Sequence, residues 1–208
     1  ENNQGYANLM KIVSKGFTEG FYYKPRVDLS LLREYHEGII ALSACLAGEV
    51  ARYLQRGMYE DAKAAALRYQ DIFGKGNFFL ELQDHGIPAQ QVVNQELLRM
   101  HEETGIDLVA TNDVHYTMAE DAAPHDILLC LQTNKKLADE DRMRYEGGQY
   151  YVKSPEEMAQ LFPYALEALE NTHKIAQRCH VEIEFGVTKL PRFDVPDGFT
   201  SWEYLNKL

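Results

Sequence analysis

The chain has 208 residues, of which 45% are hydrophobic and 25% are charged, a balance that is typical of a folded globular domain. This composition excludes a disordered tail, a collagen-like fibre and a coiled coil. Lys and Arg number 21 against 32 Asp and Glu, so the formal net charge is −11 and the chain as a whole repels phosphate backbones and anionic membranes. Any nucleic acid that it meets must therefore be held by a local site, by a metal or by another domain.

The three cysteines, Cys45, Cys130 and Cys179, are widely spaced and form no Cys-x-x-Cys pair. An odd count without such pairs argues against a disulfide framework and against a zinc knuckle, so we expect a reducing, cytoplasmic setting. No apolar run is long enough to span a membrane, and the first residues have none of the features of a secretion signal. Because the sequence starts without Met, we expect it to be an internal piece of a longer protein.

Hydrophobic periodicity and helix-stop residues predict an alternation of strands and helices, as in a parallel sheet or a β/α barrel. The predicted strands cover residues 39–43, 77–82 and 106–110. The predicted helices cover 6–17, a short segment capped by Asp28 or Ser30, 48–56, 59–73, 88–104, 119–132, a segment capped by Ser154 and ending near 162, and 166–179. The charged stretch 134–148 predicts an exposed loop, and the Pro- and Gly-containing stretch 186–200 predicts a connector.

Polar and metal-capable side chains follow all three predicted strands. Cys45 follows the first strand, Asp84 and His85 follow the second, and Asp113 and His115 follow the third. The carboxyl ends of parallel strands converge, and sites are built there. If the third segment stays extended, the i, i+2 spacing puts Asp113 and His115 on one face. A carboxylate, an imidazole and a neighbouring thiolate would bind Zn²⁺ or a similar transition metal.

Each of these residues also has a structural interpretation. A cysteine after an apolar strand is commonly a small buried hydrophobe, and Asp and His after a strand are commonly turn residues. His125, on the helix that follows the third strand, is a candidate for supporting a ligand, and a purely structural role is the alternative. The sequence contains no P-loop, no Gly-x-Gly-x-x-Gly, no Gly-x-Ser-x-Gly and no His-Glu-x-x-His.

Short motifs make the chain recognisable, and they occur in order along nearly its whole length. They are GYANL at 5–9, KGF at 15–17, ALSACLAGE at 41–49, ELQDHG at 81–86, ATNDVHY at 110–116, SPEEM at 154–158 and EALENT at 167–172. Together they resemble the alpha (catalytic) subunits of bacterial replicative DNA polymerase III. An ordered series of this kind is more specific than any single motif.

The resemblance implies a PHP (polymerase and histidinol phosphatase) domain, which is a distorted, TIM-like seven-stranded β/α barrel. Residues 1–185 would be its later part, and residues 186–208 would be a connector towards the polymerase palm. In that family, His, Asp, Glu and Cys side chains at the strand ends bind Zn²⁺ or Mn²⁺, and members with the full set have metal-dependent 3′–5′ exonuclease activity. By motif, Cys45, Asp113 and His115 resemble metal ligands of this cluster.

The chain departs from the family pattern in one large respect. The opening His-x-His motif of the family does not occur here, and the palm carboxylates that hold Mg²⁺ for nucleotidyl transfer would lie beyond Leu208. We therefore expect a PHP-domain part of a DNA-directed DNA polymerase that, by itself, neither polymerises nor shows much phosphoesterase activity.

The resemblance implies several partners: the rest of the alpha subunit, a proofreading exonuclease subunit and the replication holoenzyme, and DNA through the parent protein. One alternative is a structural module that docks the separate exonuclease. Another is a stand-alone PHP phosphatase, against which residues 190–193 argue because they resemble the polymerase connector. A barrel that lacks its first strands has an open sheet edge and an uncovered apolar face, so we also expect self-association.

Overall fold

The computed structural model describes residues 1–190 and 193–208, so part of the predicted connector, residues 191–192, lies outside the described residues. The helices are α1 (Asn3–Thr18), α2 (Leu29–Glu34), α3 (Glu49–Leu54), α4 (Tyr59–Phe73), α5 (Pro88–Thr104), α6 (Ala122–Thr133), α7 (Pro155–Leu161), α8 (Leu166–Arg178) and α9 (Ser201–Lys207). The strands are β1 (Ala41–Leu42), β2 (Phe78–Leu82) and β3 (Leu108–Ala110).

The three strands form one parallel sheet in the order β1-β2-β3. Ala41 lies opposite Phe78 and Leu80 lies opposite Leu108, so all three carboxyl ends reach the same edge. Helices α3 and α4 connect β1 to β2, and α5 connects β2 to β3. The mixed α/β fold with a parallel sheet, as predicted from the sequence, is therefore confirmed.

The two faces of the sheet differ in chemistry because side chains alternate along a strand. On one face, Phe78, Leu80 and Leu82 belong to the main hydrophobic core. The other members of that core come mainly from α3, α4, α5, α7 and α8. On the opposite face of β2, Glu81 interrupts an otherwise apolar strand. Glu81 thus places a carboxylate on this face close to the carboxyl ends of the strands, where the candidate site lies.

Helix α8 covers the outer edge of β3. The buried side chain of Asn171 donates a hydrogen bond from Nδ2 to the carbonyl oxygen of Leu108, at 2.8 Å. This contact satisfies a backbone acceptor that an edge strand would leave unpaired. By contrast, α1 leaves Leu9, Val13 and Phe17 exposed, at 48%, 50% and 57%. The predicted self-association, which relies on such surfaces, stays a prediction.

Side-chain caps mark where several of the helices begin. Asp28, rather than Ser30, caps α2 by accepting from the Leu31 N–H at 2.8 Å. Ser154 and Glu157 form the predicted capping box of α7. The sequence analysis missed α9, which begins with the same signature at Thr200 and Glu203, inside the predicted connector. None of the helices in the described part of the chain combines the length and the apolar character needed to cross a membrane.

Candidate functional site at the carboxyl ends of the strands

Cys45 lies in a tight turn directly after β1. Ala44 has a φ of 66°, in the left-handed region, and its N–H donates to Glu81 Oε2 at 3.0 Å. The turn closes through a hydrogen bond from Gly48 N to Cys45 O at 2.8 Å. Gly48 is required there, because a Cβ at this position would lie 2.3 Å from the Ser43 carbonyl oxygen. The turn leaves the Cys45 thiol half-buried at the strand ends.

Residues 113–115 do not continue the third strand, so the condition for Asp113 and His115 to share a strand face is not met. β3 ends at Ala110, and Asp113 has a φ of 42°, which an extended segment does not adopt. Asp113 and His115 therefore do not share a face through strand pleating. The turn instead brings His115 Nδ1 to 2.6 Å from the carbonyl oxygen of Asp113.

This hydrogen bond determines what the His115 imidazole can do. A backbone carbonyl can only accept, so Nδ1 carries a proton, and in the neutral imidazole Nε2 keeps its lone pair. Histidines that bind metals are commonly oriented in this way, with one nitrogen donating to a carbonyl and the other free to coordinate. His115 is half-buried, and its backbone N–H donates to the Tyr150 carbonyl oxygen at 2.8 Å.

Two tyrosines connect the first strand end with the third. The pKa of Tyr145 is raised by burial and then by the negative charges of Asp113 and Cys45. The pKa of Tyr150 is raised by burial and by the same two groups, among others. Cys45 and Asp113 therefore act on the same pair of hydroxyls, although their strands lie on opposite sides of β2. Both hydroxyls stay protonated near neutral pH and can donate hydrogen bonds.

The predicted loop 134–148 is not simply solvated, because it folds back onto the strand ends. The ring of Tyr145 lies 4.2 Å from His115 and 5.3 Å from His125, measured between centroids. Arg142 anchors the loop. Its side chain is only 6% exposed and pairs with Asp126 on α6, with Arg142 Nη2 at 2.7 Å from Asp126 Oδ2. The loop thus contributes one wall of the site.

His125 lies beside this wall. Its ring centroid is 5.7 Å from that of His115 and 5.3 Å from that of Tyr116. Among the contacts of the described residues, His125 meets the site through aromatic rings. That His125 supports a ligand stays a prediction.

His85 is buried, with 3% exposure, and its backbone N–H and both ring nitrogens are paired. Its backbone N–H donates to Gln90 Oε1 at 2.8 Å, which leaves the Gln90 Nε2 group to donate to His85 Nδ1, also at 2.8 Å. His85 Nε2 must then carry the proton, and it donates to the Asn112 carbonyl oxygen at 2.8 Å. The ring also stacks on Tyr150, with centroids 4.0 Å apart. His85 therefore holds the segment that leads to Asp113, and it has no free nitrogen for a ligand.

Asp84 stabilises its own turn. Its carboxylate accepts from Gly86 N at 2.9 Å and from Gln91 Nε2 at 2.8 Å. This is the turn chemistry that the structural interpretation of Asp84 anticipated. Of the two candidates after β2, His85 contacts Asn112 and Tyr150 directly, whereas Asp84 acts on Lys153 through its charge.

The sequence analysis missed Glu81, Tyr145, Tyr150 and Lys153. Glu81 accepts hydrogen bonds from Ala44 N, Gln83 Nε2 and Thr111 Oγ1, so it joins the turns that follow β1 and β3. A carboxylate inside an apolar strand was the signal for it. The Lys153 ammonium lies 3.1 Å from Asn112 Oδ1, and burial lowers its pKa. No local pattern indicates the two tyrosines or Lys153, because they reach the site through long-range contacts.

These residues do not form a complete metal centre. Across residues 1–190 and 193–208, no group of three or more His, Cys, Asp and Glu side chains is arranged to hold a metal ion. A structural or catalytic zinc ion takes at least three protein ligands. The chain's own side chains therefore do not fit a complete Zn²⁺ or Mn²⁺ site, although a thiol, a carboxylate and an imidazole with a free nitrogen lie at one edge of the sheet.

Comparisons with known proteins identify the family. A family model described as the PHP domain matches residues 1–85. The DNA polymerase III subunit alpha of Treponema pallidum is 45% identical over 204 residues, which cover 98% of this chain and 17% of that protein. The corresponding subunit of Deinococcus radiodurans is 44% identical over 97% of this chain and 16% of its own length. That of Thermus aquaticus is 41% identical over 98% of this chain and 17% of its own length.

The chain thus spans about a sixth of the length of these relatives. The identity extends over nearly all of its residues, well beyond the part that the PHP model matches. The chain therefore belongs to the DNA polymerase III alpha subunit family, and it corresponds to a segment of these proteins that includes PHP domain sequence.

Proposed function

We propose that the chain acts in DNA replication as the later part of a PHP barrel in a replicative polymerase alpha subunit. In this proposal, Cys45, Asp113 and His115 supply part of a metal-dependent phosphoesterase or 3′–5′ exonuclease centre. The observation that carries it is that a half-buried thiol, a carboxylate and an imidazole follow neighbouring parallel strands at one edge of the sheet, where the Tyr145 ring lies 4.2 Å from that of His115. The remaining ligands come from outside these residues.

The sheet topology supports the barrel. Strands that follow one another in space in their chain order are typical of a β/α barrel, whereas a doubly wound sheet reverses its order at a switch point. Here the order is β1-β2-β3, and the face of β2 away from the core carries a polar group near the strand ends. In this proposal, as the family resemblance implies, residues 1–185 belong to the barrel and residues 186–208 form a connector towards the palm.

The chain's own residues would orient and protonate groups at the site. His85 and Gln90 fix the position of the Asn112 carbonyl, and Glu81 fixes the turn before Cys45. The protonated Tyr145 and Tyr150 hydroxyls and the Lys153 ammonium are donors suited to phosphate oxygens. A resident Zn²⁺ or Mn²⁺ would supply an activated water in the complete centre. Polymerisation, with its own Mg²⁺ site, belongs to other parts of the parent protein.

A second candidate function is a structural module within the cytoplasmic polymerase, which supports the palm and docks a separate proofreading exonuclease. It is favoured by the absence of a three-ligand group among the described residues and by the acidic net charge, which repels DNA. Its partners would be the rest of the alpha subunit, the exonuclease subunit and the holoenzyme. The first candidate predicts that the thiol of Cys45 coordinates metals, and the second does not.

Cobalt titration separates the two candidates. Co²⁺ reports thiolate coordination by absorption and accepts the same ligands as Zn²⁺. We expect excess Co²⁺ to give a weak thiolate signal that disappears in Cys45→Ser and in His115→Ala. The matched control is Cys179→Ser, which changes an exposed cysteine outside the site and should leave the signal unchanged. No signal, or loss of the signal in the control, would contradict the metal-centre proposal and leave the structural candidate.

The metal content of the purified chain, measured by mass spectrometry, tests whether the centre is incomplete. We expect no stoichiometric Zn²⁺ or Mn²⁺, and no EDTA-sensitive hydrolysis of p-nitrophenyl phosphate or of single-stranded DNA. Stoichiometric metal that is lost in both Cys45→Ser and His115→Ala would show that these residues form a site without further ligands. That result would refute the claim that ligands outside the chain are needed.

A further inference from the structure

A short loop between α1 and α2 combines exposed aromatic rings with positive charge. This aromatic–basic loop, residues 21–26, reads Phe-Tyr-Tyr-Lys-Pro-Arg. Phe21, Tyr22 and Tyr23 are 58%, 65% and 82% exposed, and Lys24 and Arg26 are exposed as well. Tyrosine rings with this much accessible surface are unusual on a folded domain unless they meet a partner.

The backbone of the loop holds the tyrosines outward. Tyr22 N donates to Lys24 O at 3.1 Å, which places Tyr23 at the tip of a tight turn with a φ of 59°. A bulky residue in the left-handed region is a local outlier, and such outliers concentrate at functional positions. The two rings lie 4.6 Å apart at an interplanar angle of 75°, so they present faces in different directions. The Arg26 guanidinium lies 5.4 Å from the Tyr22 ring and braces it.

The two cations of the loop, Lys24 and Arg26, have no carboxylate within ion-pair distance among the described residues. Of the acids next to the loop in sequence, Glu19 pairs with Lys15 at 3.0 Å, and Asp28 is occupied as the cap of α2. Glu34 also lines the pocket beside Arg26, so the loop offers two cations without direct partners next to an acidic pocket, on a chain whose net charge is −11.

We propose that the aromatic–basic loop binds single-stranded nucleic acid, with unpaired bases stacked on Tyr22 and Tyr23 and phosphates held by Lys24 and Arg26. Exposed aromatic faces interleaved with cations are the elements with which proteins bind single strands without sequence preference. A duplex offers no free base faces, so it would use the cations alone. An acidic peptide would likewise leave the ring faces without a role. The proposal does not depend on the metal centre.

Binding of a fluorescent oligothymidine of about 16 nucleotides, with EDTA present, tests the proposal. EDTA removes any contribution from metal at the strand ends, so failure here leaves the cobalt experiment unaffected. We expect Tyr22→Ala and Tyr23→Gly each to weaken binding on the order of tenfold, the effect of losing one base stack. Tyr23→Gly also relieves the left-handed conformation, so it should not impair folding. The control is Tyr164→Ala, which removes a half-exposed tyrosine that lies beside Glu102 and Glu167.

The salt dependence tests the phosphate contacts separately. Two contacts to a single strand predict a slope of log affinity against log salt of about −1.4, which should fall towards zero in the double variant Lys24→Gln/Arg26→Gln. Absence of binding, or equal loss of affinity in Tyr164→Ala, would overturn the proposal. A preference for duplex of the same sequence would also overturn it. So would tighter binding to phosphatidylserine vesicles, which would assign the loop to a membrane surface.

Discussion

The buried contact between Gln90 and His85 allows a sharp test of how the site is held. Gln90 is 4% exposed and makes two hydrogen bonds to His85, one from each end of its amide. The change Gln90→Leu keeps the side-chain volume but removes both bonds. It leaves the backbone N–H and the Nδ1 atom of His85 buried without partners.

The expected cost follows from these two bonds. An unpaired buried polar group costs about 1–3 kcal/mol. The backbone N–H and Nδ1 of His85 both lose the Gln90 amide as their partner, so together they should cost about 3 kcal/mol. That is a large fraction of the 5–15 kcal/mol typical of a domain's stability. Urea unfolding followed by circular dichroism measures the free energy of unfolding from the midpoint and the slope. The matched control, Gln91→Leu, removes one exposed bond to Asp84 and should cost less than about 0.5 kcal/mol.

A second measurement tests the proton position. The His85 proton should lie on Nε2, because Gln90 donates to Nδ1. Nitrogen NMR of the imidazole should show the Nε2–H tautomer alone in the wild type. In Gln90→Leu it should show a mixture of the two tautomers. An Nδ1–H tautomer in the wild type would refute the reasoning, as would a Gln90→Leu cost that matches the Gln91→Leu control.

Three further predictions concern stability and the loop that lines the site. Hydrogen bonds, the largest from Lys63, lower the pKa of Glu103 to about 2, so this carboxylate stabilises the fold above pH 4.5 and the contribution is lost as the pH falls towards 2. Acid unfolding of Glu103→Gln should therefore differ from the wild type above this window and converge with it below. Arg142→Ala should release loop 134–148 and speed its cleavage in limited proteolysis, whereas Arg144→Ala, an exposed change in the same loop, should not. Phe162→Ala, at a position with no exposure, should lower the free energy of unfolding by about 3–5 kcal/mol, and a cost below 1 kcal/mol would show that the core there is not closely packed.

The sequence alone predicts most of the elements, because their signals are local. α4 and α5 have the bounds that their apolar spacing and flanking glycines indicate. The strands are found in the right places but are shorter than the apolar runs, since β1 pairs with β2 only at Ala41 and Leu42. α9 had a legible capping signature and was missed because the neighbouring prolines favoured a connector.

The site is predictable only in part, for a geometric reason. Cys45, His85, Asp113 and His115 were found because parallel strands deliver their following residues to one edge. The orientation of Asp113 depends on a single left-handed φ, which no periodic pattern reveals. Tyr145 arrives from a loop of charged and small residues, and its contact with His115 spans 30 positions of sequence. Contacts of this kind have no local signal, so they require the folded structure.

The net charge of the chain predicts repulsion of nucleic acid, whereas the two cations in residues 21–26 predict local attraction. The two effects act over different distances. A charge of −11 opposes binding at long range, but Coulomb interactions between exposed groups are screened beyond about 8–10 Å in physiological salt. At shorter range, what counts is the charge that faces the ligand, and residues 21–26 carry two cations and no acid. Base stacking on Tyr22 and Tyr23 is insensitive to salt, whereas the electrostatic repulsion of nucleic acid by the net charge of the chain weakens as salt is added. Binding through this loop should therefore keep its dependence on the tyrosines at salt concentrations where the repulsion from the rest of the chain has been screened.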